Sequence, residues 1–307
     1  MTTTHSARGM VWIDLQSPTE AEILSLVHRY NLHPLVGEEL KDSPSPAKID
    51  IYPDYVLVIL TFPFRINKNG SYAMVNREID FVIGKNFLIT SHSDGVDHLE
   101  YFAKIFETNN ILNKSGGPEH TGHLFYHIVK KLYAGMYEDL ENIRDSLIHA
   151  EEGIFQGDER RMVEVLSRLS RELIDFRETA RIHNDVWEDM IKIKDTRFFG
   201  EDFSPYFRDI RDSFTQIHEL ITNSRELVDD LRDTNDSLLN TRQNDIIKTL
   251  TIVNFIFIPA TFISALFTIP APHVPFTEDL WGWWILVGAM VLITVVIWIT
   301  VKRKKWL

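Results

Sequence analysis

Two apolar stretches, LTIVNFIFIPATFISALF at residues 250–267 and LWGWWILVGAMVLITVVIWITV at residues 280–301, decide the fold. A bilayer core about 30 Å thick is crossed by about 20 helical residues, so both stretches are predicted to be transmembrane helices. The alternative is a pair of buried helices in a soluble protein. Tryptophans favour the membrane, because they collect at the interface between lipid and water. Those near the ends of the second stretch are Trp281, Trp283, Trp284 and Trp298.

Charge divides the chain at nearly the same place. The 307 residues carry a net charge of −12, but residues 1–249 hold 28 basic and 42 acidic side chains, whereas residues 250–307 have a net charge of +2. An acidic body argues against nucleic acid as a partner, since phosphate binding needs a basic surface. The chain has no cysteine, which excludes thiolate metal sites and thiol nucleophiles.

The basic run Lys302-Arg303-Lys304-Lys305 predicts the topology. Basic residues next to a span stay on the cytoplasmic side. With two spans, the acidic body is then cytoplasmic as well, and the loop at 268–279 faces outside. The sequence begins MTTTHSARGM, without an apolar segment, so no signal peptide is predicted. The expected location is the cell inner (plasma) membrane, with both termini in the cytoplasm.

The cytoplasmic body is predicted to begin with an α/β domain at residues 1–118. Runs of β-branched and aromatic residues at 11–15, 55–62 and 78–92 predict strands. Ser17-Pro18-Thr19-Glu20 is typical of the start of an amphipathic helix. The pattern therefore indicates an α+β membrane protein rather than an all-helical one.

Long helices are predicted between this domain and the membrane. Charged, periodic segments at 121–153 and 159–195 predict antiparallel helices beside the α/β domain. Phe203-Ser204-Pro205 marks the start of another helix, which continues to Phe267 without a glycine after Tyr206. The predicted segments are a cytoplasmic α/β domain (1–118), a cytoplasmic helical and stalk region (119–249), pore-lining transmembrane helix 1 (250–267), an external loop (268–279), transmembrane helix 2 (280–301) and a basic cytoplasmic tail (302–307).

One face of the last cytoplasmic helix carries a polar stripe that enters the membrane. Its positions alternate in steps of four and three residues, which is the spacing of one helix face. They are Asp233, Ser237, Asn240, Asn244, Ile247, Thr251, Asn254, Ile258, Thr261 and Ala265. One interpretation is hydrogen bonding between helices. The other is a water-filled pore with apolar constrictions at Ile247 and Ile258, which requires a ring of identical chains because two spans cannot enclose a pore.

Short motifs along nearly the whole chain resemble the CorA family of magnesium and divalent-cation transporters. They are Val11-Trp12-Ile13-Asp14-Leu15 with Pro18-Thr19-Glu20, Asn31-Leu32-His33-Pro34-Leu35, Lys48-Ile49-Asp50 with Tyr52 and Tyr55, the run from Asp80 to Thr90, Tyr206-Phe207-Arg208-Asp209, and the ending Lys304-Lys305-Trp306-Leu307. The resemblance implies a funnel-shaped homopentamer. In it the first span lines the pore and the second surrounds the first.

The resemblance also implies roles for single residues in the pore and at a regulatory site. Asn244 matches the family's pore asparagine on the cytoplasmic side, and the residues that fall near its hydrophobic gate are Ile247, Leu250 and Ile258. Asp209 matches a residue that holds a regulatory divalent ion between subunits, with Asp97 suggested as its partner and Asp233 as a further metal residue. Mg²⁺ suits such oxygen ligands. An ordinary solvated charge is the alternative for each aspartate, and no cofactor is implied.

The outer mouth of the pore departs from the family. The signature Tyr-Gly-Met-Asn, which holds a hydrated cation there, is replaced by Phe267-Thr268-Ile269-Pro270. Pro270 has neither an amide side chain nor a backbone N–H, so the site cannot be built in the same way. Hydroxyls of Thr268 and the imidazole of His273 are the substitutes that the sequence offers. Selectivity for Mg²⁺ is therefore the open part of the resemblance.

The function predicted from the residues and the resemblance is passive transport of a divalent metal cation, Mg²⁺, Co²⁺, Ni²⁺ or Zn²⁺, through a five-fold pore. The expected partners are other copies of the chain, membrane lipid and the transported ion. Two alternatives stay open: a channel of the same architecture that passes monovalent cations or anions, and a non-conducting membrane regulator. No enzyme is predicted, because no nucleophile or carboxylate pair has a catalytic spacing. His120, His123 and His127 have a spacing that zinc accepts, although packing is the commoner role for helix histidines.

Overall fold

A computed structural model describes residues 1–7, 9–41, 45–68, 71–93, 120–192, 203–268 and 281–303. The chain divides into two compact units, Met1–Arg232 and Asp233–Leu307. The described strands are β1 (Thr2–Ala7), β2 (Met10–Gln16), β3 (Lys48–Ile51), β4 (Tyr55–Lys68), β5 (Ser71–Gly84) and β6 (Phe87–His92). The described helices are α1 (Glu20–Arg29), α2 (Pro34–Glu39), α3 (Thr121–Gln156), α4 (Glu159–Lys192), α5 (Ser204–Thr268) and α6 (Gly282–Arg303).

The six strands form one mixed sheet in the order β1-β2-β6-β5-β4-β3. Neighbours are antiparallel except β2 and β6, which run parallel. The strands predicted at 11–15, 55–62 and 78–92 are confirmed, the last as parts of β5 and β6. The two edge strands, β1 and β3, are not predicted from the sequence, because TTTHSA and KIDI contain no extended apolar run. Each of them is held by a single neighbouring strand.

Both faces of the sheet are covered by helices. On one face, Leu57 and Ile59 of β4 belong to a buried cluster with Ile23 and Leu26 of α1. Side chains alternate between the faces of a strand, and Phe62 of the same strand lies on the other face, where its ring centroid is 5.8 Å from that of Tyr133 in α3. This double burial explains why β4 reads as a continuous apolar run rather than an alternating one.

Helix ends follow the signals in the sequence. Thr19 is the N-cap of α1, and it forms a capping box in which its hydroxyl accepts from the backbone N–H of Glu22. The predicted pair of long helices is present as α3 and α4, which contact each other and the sheet. Between them, Gly157 has a φ of 104°, a left-handed conformation that ends helices at low cost only for glycine. The last long helix begins at Ser204, as Phe203-Ser204-Pro205 predicted.

A buried hydrogen-bond network joins α3, α4 and β4. The Tyr133 hydroxyl lies 2.9 Å from Nδ1 of His183, and Nε2 of His183 lies 2.8 Å from the carbonyl oxygen of Thr61. A carbonyl only accepts, so Nε2 carries the proton and Nδ1 accepts from Tyr133. The indole Nε1 of Trp187 donates to the same hydroxyl at 2.6 Å. Burial lowers the pKa of His183 to about 4, so the ring is neutral at pH 7.

The second unit contains the two apolar segments. In the described part of the chain, α5 and α6 are the two helices long and apolar enough to cross a membrane, and only 6% of the apolar window of each is buried. Pro259 lies inside α5 without ending it. Exposed apolar side chains therefore surround most of both segments, as lipid or other copies of the chain require.

Candidate ion-conducting site

The predicted polar stripe lies along α5, and its membrane part is on the surface of the second unit. Asn244, Asn254 and Thr261 are exposed, and Thr251 is half-buried. Large apolar side chains on other faces of the same segment, such as Phe255 and Phe262, are exposed as well. The segment is thus apolar around most of its circumference and polar along one line. That asymmetry distinguishes one face of α5 from the faces suited to lipid.

The threonines of the stripe satisfy their own donors. The hydroxyl of Thr251 donates to the carbonyl oxygen of Ile247 at 2.7 Å, and that of Thr261 donates to the carbonyl oxygen of Phe257 at 2.9 Å. Such bonds to the preceding turn are common for threonine in helices. A hydroxyl oxygen that donates its proton still has lone pairs, so both positions can accept hydrogen bonds.

The asparagines of the stripe differ from the threonines. Among the residues that the structure describes, the carboxamides of Asn244 and Asn254 have no hydrogen-bond partner. A carboxamide has two donors and an acceptor oxygen, and it needs partners wherever water is scarce. Asn244 and Asn254 therefore need hydrogen-bond partners from outside the described part of the chain.

Apolar side chains flank the asparagines on the same side of α5. Ile247, Leu250 and Ile258 are all exposed, although each is large and apolar. Rings of such side chains around a narrow pore would expel water and act as constrictions. The proline at 259 has no N–H to offer the carbonyl of Phe255, so the usual helix bond is missing there. One backbone acceptor is thus freed next to Asn254 in the chain.

Several predicted residues fall outside the described part of the chain or at its limit. Thr268 is the last residue of α5, and its side chain is not described; Ile269 and Pro270 follow in the segment outside the described residues. Asp97 also lies outside the described residues. The assignments of the outer mouth and of Asp97 accordingly stay predictions.

Asp209 occupies a defined contact between α5 and α3. Its Oδ2 accepts from the Tyr126 hydroxyl at 2.6 Å and is 2.9 Å from Nζ of Lys130. Lys130 also donates to the hydroxyl of Ser213 at 2.7 Å. The pKa of Asp209 is lowered mainly by the hydrogen bond from Tyr126, with a smaller effect of the hydrogen bond from Lys130. The pKa of Tyr126 is raised to about 12, mainly by burial and to a smaller extent by the hydrogen bond to Asp209. Neither Tyr126 nor Lys130 is predicted as a partner of Asp209 from the sequence, since nothing in the sequence pairs α3 with α5.

The remaining candidates are simpler. Asp233 is exposed on α5. His120 caps α3, with its Nδ1 accepting from the N–H of Gly122 at 3.1 Å, and its ring stacks on His123 at 4.0 Å between centroids. Within the described residues, no three His, Asp or Glu side chains are grouped so as to hold a metal ion. The stacked rings also contact Phe203. This arrangement favours the packing role of these histidines.

The chain is similar to known transporters along nearly its whole length. The model of the family described as CorA-like Mg²⁺ transporter protein matches residues 7–303. The cobalt/magnesium transport protein CorA of Thermotoga maritima is 24% identical over 302 residues, which cover 96% of this chain and 83% of that protein. The cobalt/magnesium transport protein CorA of Methanocaldococcus jannaschii is 23% identical over 300 residues, which cover 97% of this chain and 92% of that protein.

Solved structures share the fold. The complete structure of the CorA magnesium transporter from Methanocaldococcus jannaschii has a TM-score of 0.83 at 22% identity and covers 97% of this chain and 92% of that one. The structure of the full-length CmaX protein has a TM-score of 0.72 at 17% identity and covers 97% of this chain and 89% of that one. At these identities the likeness shows a common architecture, and chemistry has to be argued from the residues.

Proposed function

The chain belongs to the CorA-like Mg²⁺ transporter family, whose model matches residues 7–303, and from this premise we propose that it conducts divalent metal cations passively through a pore formed by five copies. The proposed cargo is Mg²⁺, Co²⁺, Ni²⁺ or Zn²⁺. Relatives from two organisms are named cobalt/magnesium transport proteins, which supports this class of ion. The five cytoplasmic bodies would form the funnel that the family resemblance implies.

The observation that carries the proposal is the exposed polar line on an otherwise apolar helix. Asn244 and Asn254 have no partner in the described chain, and Thr251 and Thr261 present oxygen lone pairs. Lipid cannot satisfy these groups. A ring of copies would turn each position into a ring of oxygen atoms around water, and such rings suit a hydrated cation.

The predicted pore-lining residues each have a proposed place along the pore. Asn244 forms the ring at the cytoplasmic end, and Ile247, Leu250 and Ile258 form the apolar gate. The intervening and outer pore positions are Thr251, Asn254, Thr261 and Ala265. Beyond them, Thr268, Ile269 and Pro270 form the outer mouth, where the Thr268 hydroxyls take over the role of the family's asparagine amides.

The proposed orientation puts both termini in the cytoplasm of a cell whose inner (plasma) membrane holds the protein. Lys302, Arg303, Lys304 and Lys305 follow the second span and favour the cytoplasmic side. The first 249 residues would then present a net charge of −14 to the cytoplasm. A surface of that sign raises the local concentration of cations.

Regulation by divalent ions is proposed at Asp209, with Asp97 and Asp233 as further metal residues. The carboxylate of Asp209 is about half-exposed, with 47% of its side-chain surface accessible, so an ion can approach it. Lys130 already neutralises one of its oxygens. A divalent ion at Asp209 would therefore compete with an ammonium group of the same chain.

The test of the proposed function is ion flux through the purified protein in liposomes. We expect Mg²⁺ uptake by the parent protein and a loss of about tenfold or more in Asn244→Leu, because a leucine ring cannot solvate the ion. Gln243→Leu is the matched control: it removes a carboxamide from the neighbouring position, about 100° away from Asn244 around the helix. That variant should keep the parent flux.

Bi-ionic current measurements on the same preparation separate the competing functions. Reversal potentials that follow a divalent gradient support the proposal. Potentials that follow potassium or chloride and ignore every divalent ion would replace it with a channel of different selectivity. A purified protein that carries no ion at all would identify a non-conducting regulator.

A further inference from the structure

Asn254 is a polar residue on a face of α5 that otherwise carries Thr251 and large apolar residues. Ile247 and Leu250 precede it and Ile258 follows it, and all four side chains are exposed. In the part of the chain that the structure describes, its carboxamide has no hydrogen-bond partner. Neighbouring stripe threonines avoid this situation by donating to their own helix. The partner of Asn254 must therefore come from outside the described part of the chain.

A second polar group without its usual partner lies next to Asn254 along α5. Because Pro259 has no N–H, the carbonyl of Phe255 lacks the bond that a helix normally supplies. A carboxamide and a backbone carbonyl from adjacent residues thus both require donors or acceptors in the middle of an apolar segment. Facing hydrocarbon, this pair would be costly. Facing water, it costs little.

Asn254 also divides the apolar lining. From Ile247 to Ile258 the helix rises about 16 Å, a length over which an unbroken apolar lining would stay dry. The step from Asn254 to Ile258 is only about 6 Å. With the Thr251 hydroxyls one turn earlier, a ring of carboxamides at 254 would hold water between two short apolar constrictions, one at Ile247 and Leu250 and one at Ile258.

We propose that Asn254 forms a hydrated resting place for the permeating cation between these two constrictions. The inference rests on the proposed function and adds the residue that allows a divalent ion to cross the gate with its water shell retained. Waters bound to a cation direct their hydrogens outward, and the carboxamide oxygens accept those hydrogens. Mg²⁺ gives up its waters reluctantly, so a place that accepts the hydrated ion lowers the barrier to passage.

The absence of cysteine from the sequence gives a direct test of water at this level. In the full-length protein in liposomes, Asn254→Cys should react rapidly with a water-soluble, cationic methanethiosulfonate reagent, because only a hydrated thiol forms the reactive thiolate. Ile256→Cys is the control at nearly the same depth, about 200° away around the helix. It should react at least about tenfold more slowly. Equal rates, or a slower reaction at 254 than at 256, would overturn the inference.

Flux measurements test the role in permeation. Asn254→Leu should lower Mg²⁺ flux by about tenfold or more, and Asn254→Gln, which keeps a carboxamide, should lose clearly less flux than Asn254→Leu. Ile256→Leu should stay near the parent value. Parent flux that persists in Asn254→Leu would overturn the inference and leave the proposed function intact. A parent protein without divalent flux would overturn both, and the two failures are thereby distinguishable.

Discussion

His183 is held neutral by neighbours that satisfy both of its ring nitrogens. Tyr133 donates to Nδ1, the carbonyl of Thr61 accepts from Nε2, and Trp187 fixes the Tyr133 hydroxyl from its other side. A second proton on the ring would be on Nδ1, and this new N–H would face the Tyr133 hydroxyl. The hydroxyl could then no longer donate to Nδ1 and would have to rotate. The network also connects two helices to the sheet, so protonation of His183 affects the packing of the first unit.

We predict that the free energy of unfolding falls as the pH is lowered from about 6.5 to about 4. The unfolded chain binds a proton on His183 near its ordinary pKa of 6.5, whereas burial lowers the native pKa to about 4. The unfolded state therefore holds more protons in this window, and acid favours it. Such a shift corresponds to about 3 kcal/mol. Denaturant unfolding of the full-length protein, followed by circular dichroism at several pH values, measures it.

Two histidine variants control this measurement. His183→Gln removes the titrating group and should flatten the pH dependence between 6.5 and 4. His149→Gln changes an exposed histidine of α3, with 78% of its side chain accessible, and should leave the dependence as it is in the parent. The prediction is wrong if the slope is the same in the parent and in His183→Gln.

At the scale of secondary-structure elements, α3 and α5 meet through polar residues spaced four apart on each helix. Tyr126 and Lys130 lie on successive turns of α3, and Asp209 and Ser213 lie on successive turns of α5. The spacing puts each pair on one face. An exposed contact of this kind contributes little to stability. Its larger effect is on the electrostatic potential at Asp209.

We predict that Lys130→Met strengthens divalent-ion binding at Asp209. The change removes the ammonium group 2.9 Å from Oδ2 and leaves Tyr126 as the described hydrogen-bond donor to that oxygen. Mg²⁺ titrations followed by thermal unfolding should show a larger stabilisation in this variant than in the parent. Lys131→Met, one residue further along α3, should behave as the parent. Equal Mg²⁺ effects in Lys130→Met and the parent would remove Asp209 as a regulatory ligand.

Elements with strong local signals were predictable and their partners were not. Clear patterns mark the apolar runs of β4 and β6 and the helix starts at Thr19 and Ser204. Burial favours apolar residues along a strand, and capping favours particular polar residues at a helix start. The edge strand β1 is held by backbone pairing to β2, and this pairing does not require apolar side chains in β1. Contacts such as Lys130 with Asp209 join residues about 80 positions apart, which one sequence does not reveal.

At the scale of the whole molecule, the division of charge and hydropathy along the chain was sufficient to predict two membrane helices. Within the described residues, α5 and α6 are the two helices long and apolar enough to be these spans. The polar stripe was also evident from spacing alone, since a helix has a fixed period. In the proposed ring, other copies of the chain surround that stripe. The sequence of one copy indicates this only through polar groups that have no partner in the described part of the chain.

We predict that the purified protein is a ring of five chains. Native mass spectrometry in detergent should give five copies of a 35.8 kDa chain. The physical reason is the stripe: a closed ring removes its polar groups from lipid in every copy at once. A monomer or dimer that conducts ions would contradict this prediction, because one or two chains offer too few helices to enclose water.

The parallel pairing of β2 with β6 has a consequence for biosynthesis. All six strands have been synthesised once the ribosome has passed His92, and the first apolar span begins only about 160 residues later, which corresponds to roughly 8–30 s of translation. The six strands can therefore pair before either apolar span has been synthesised, and the proposed insertion of the spans would follow the folding of the sheet.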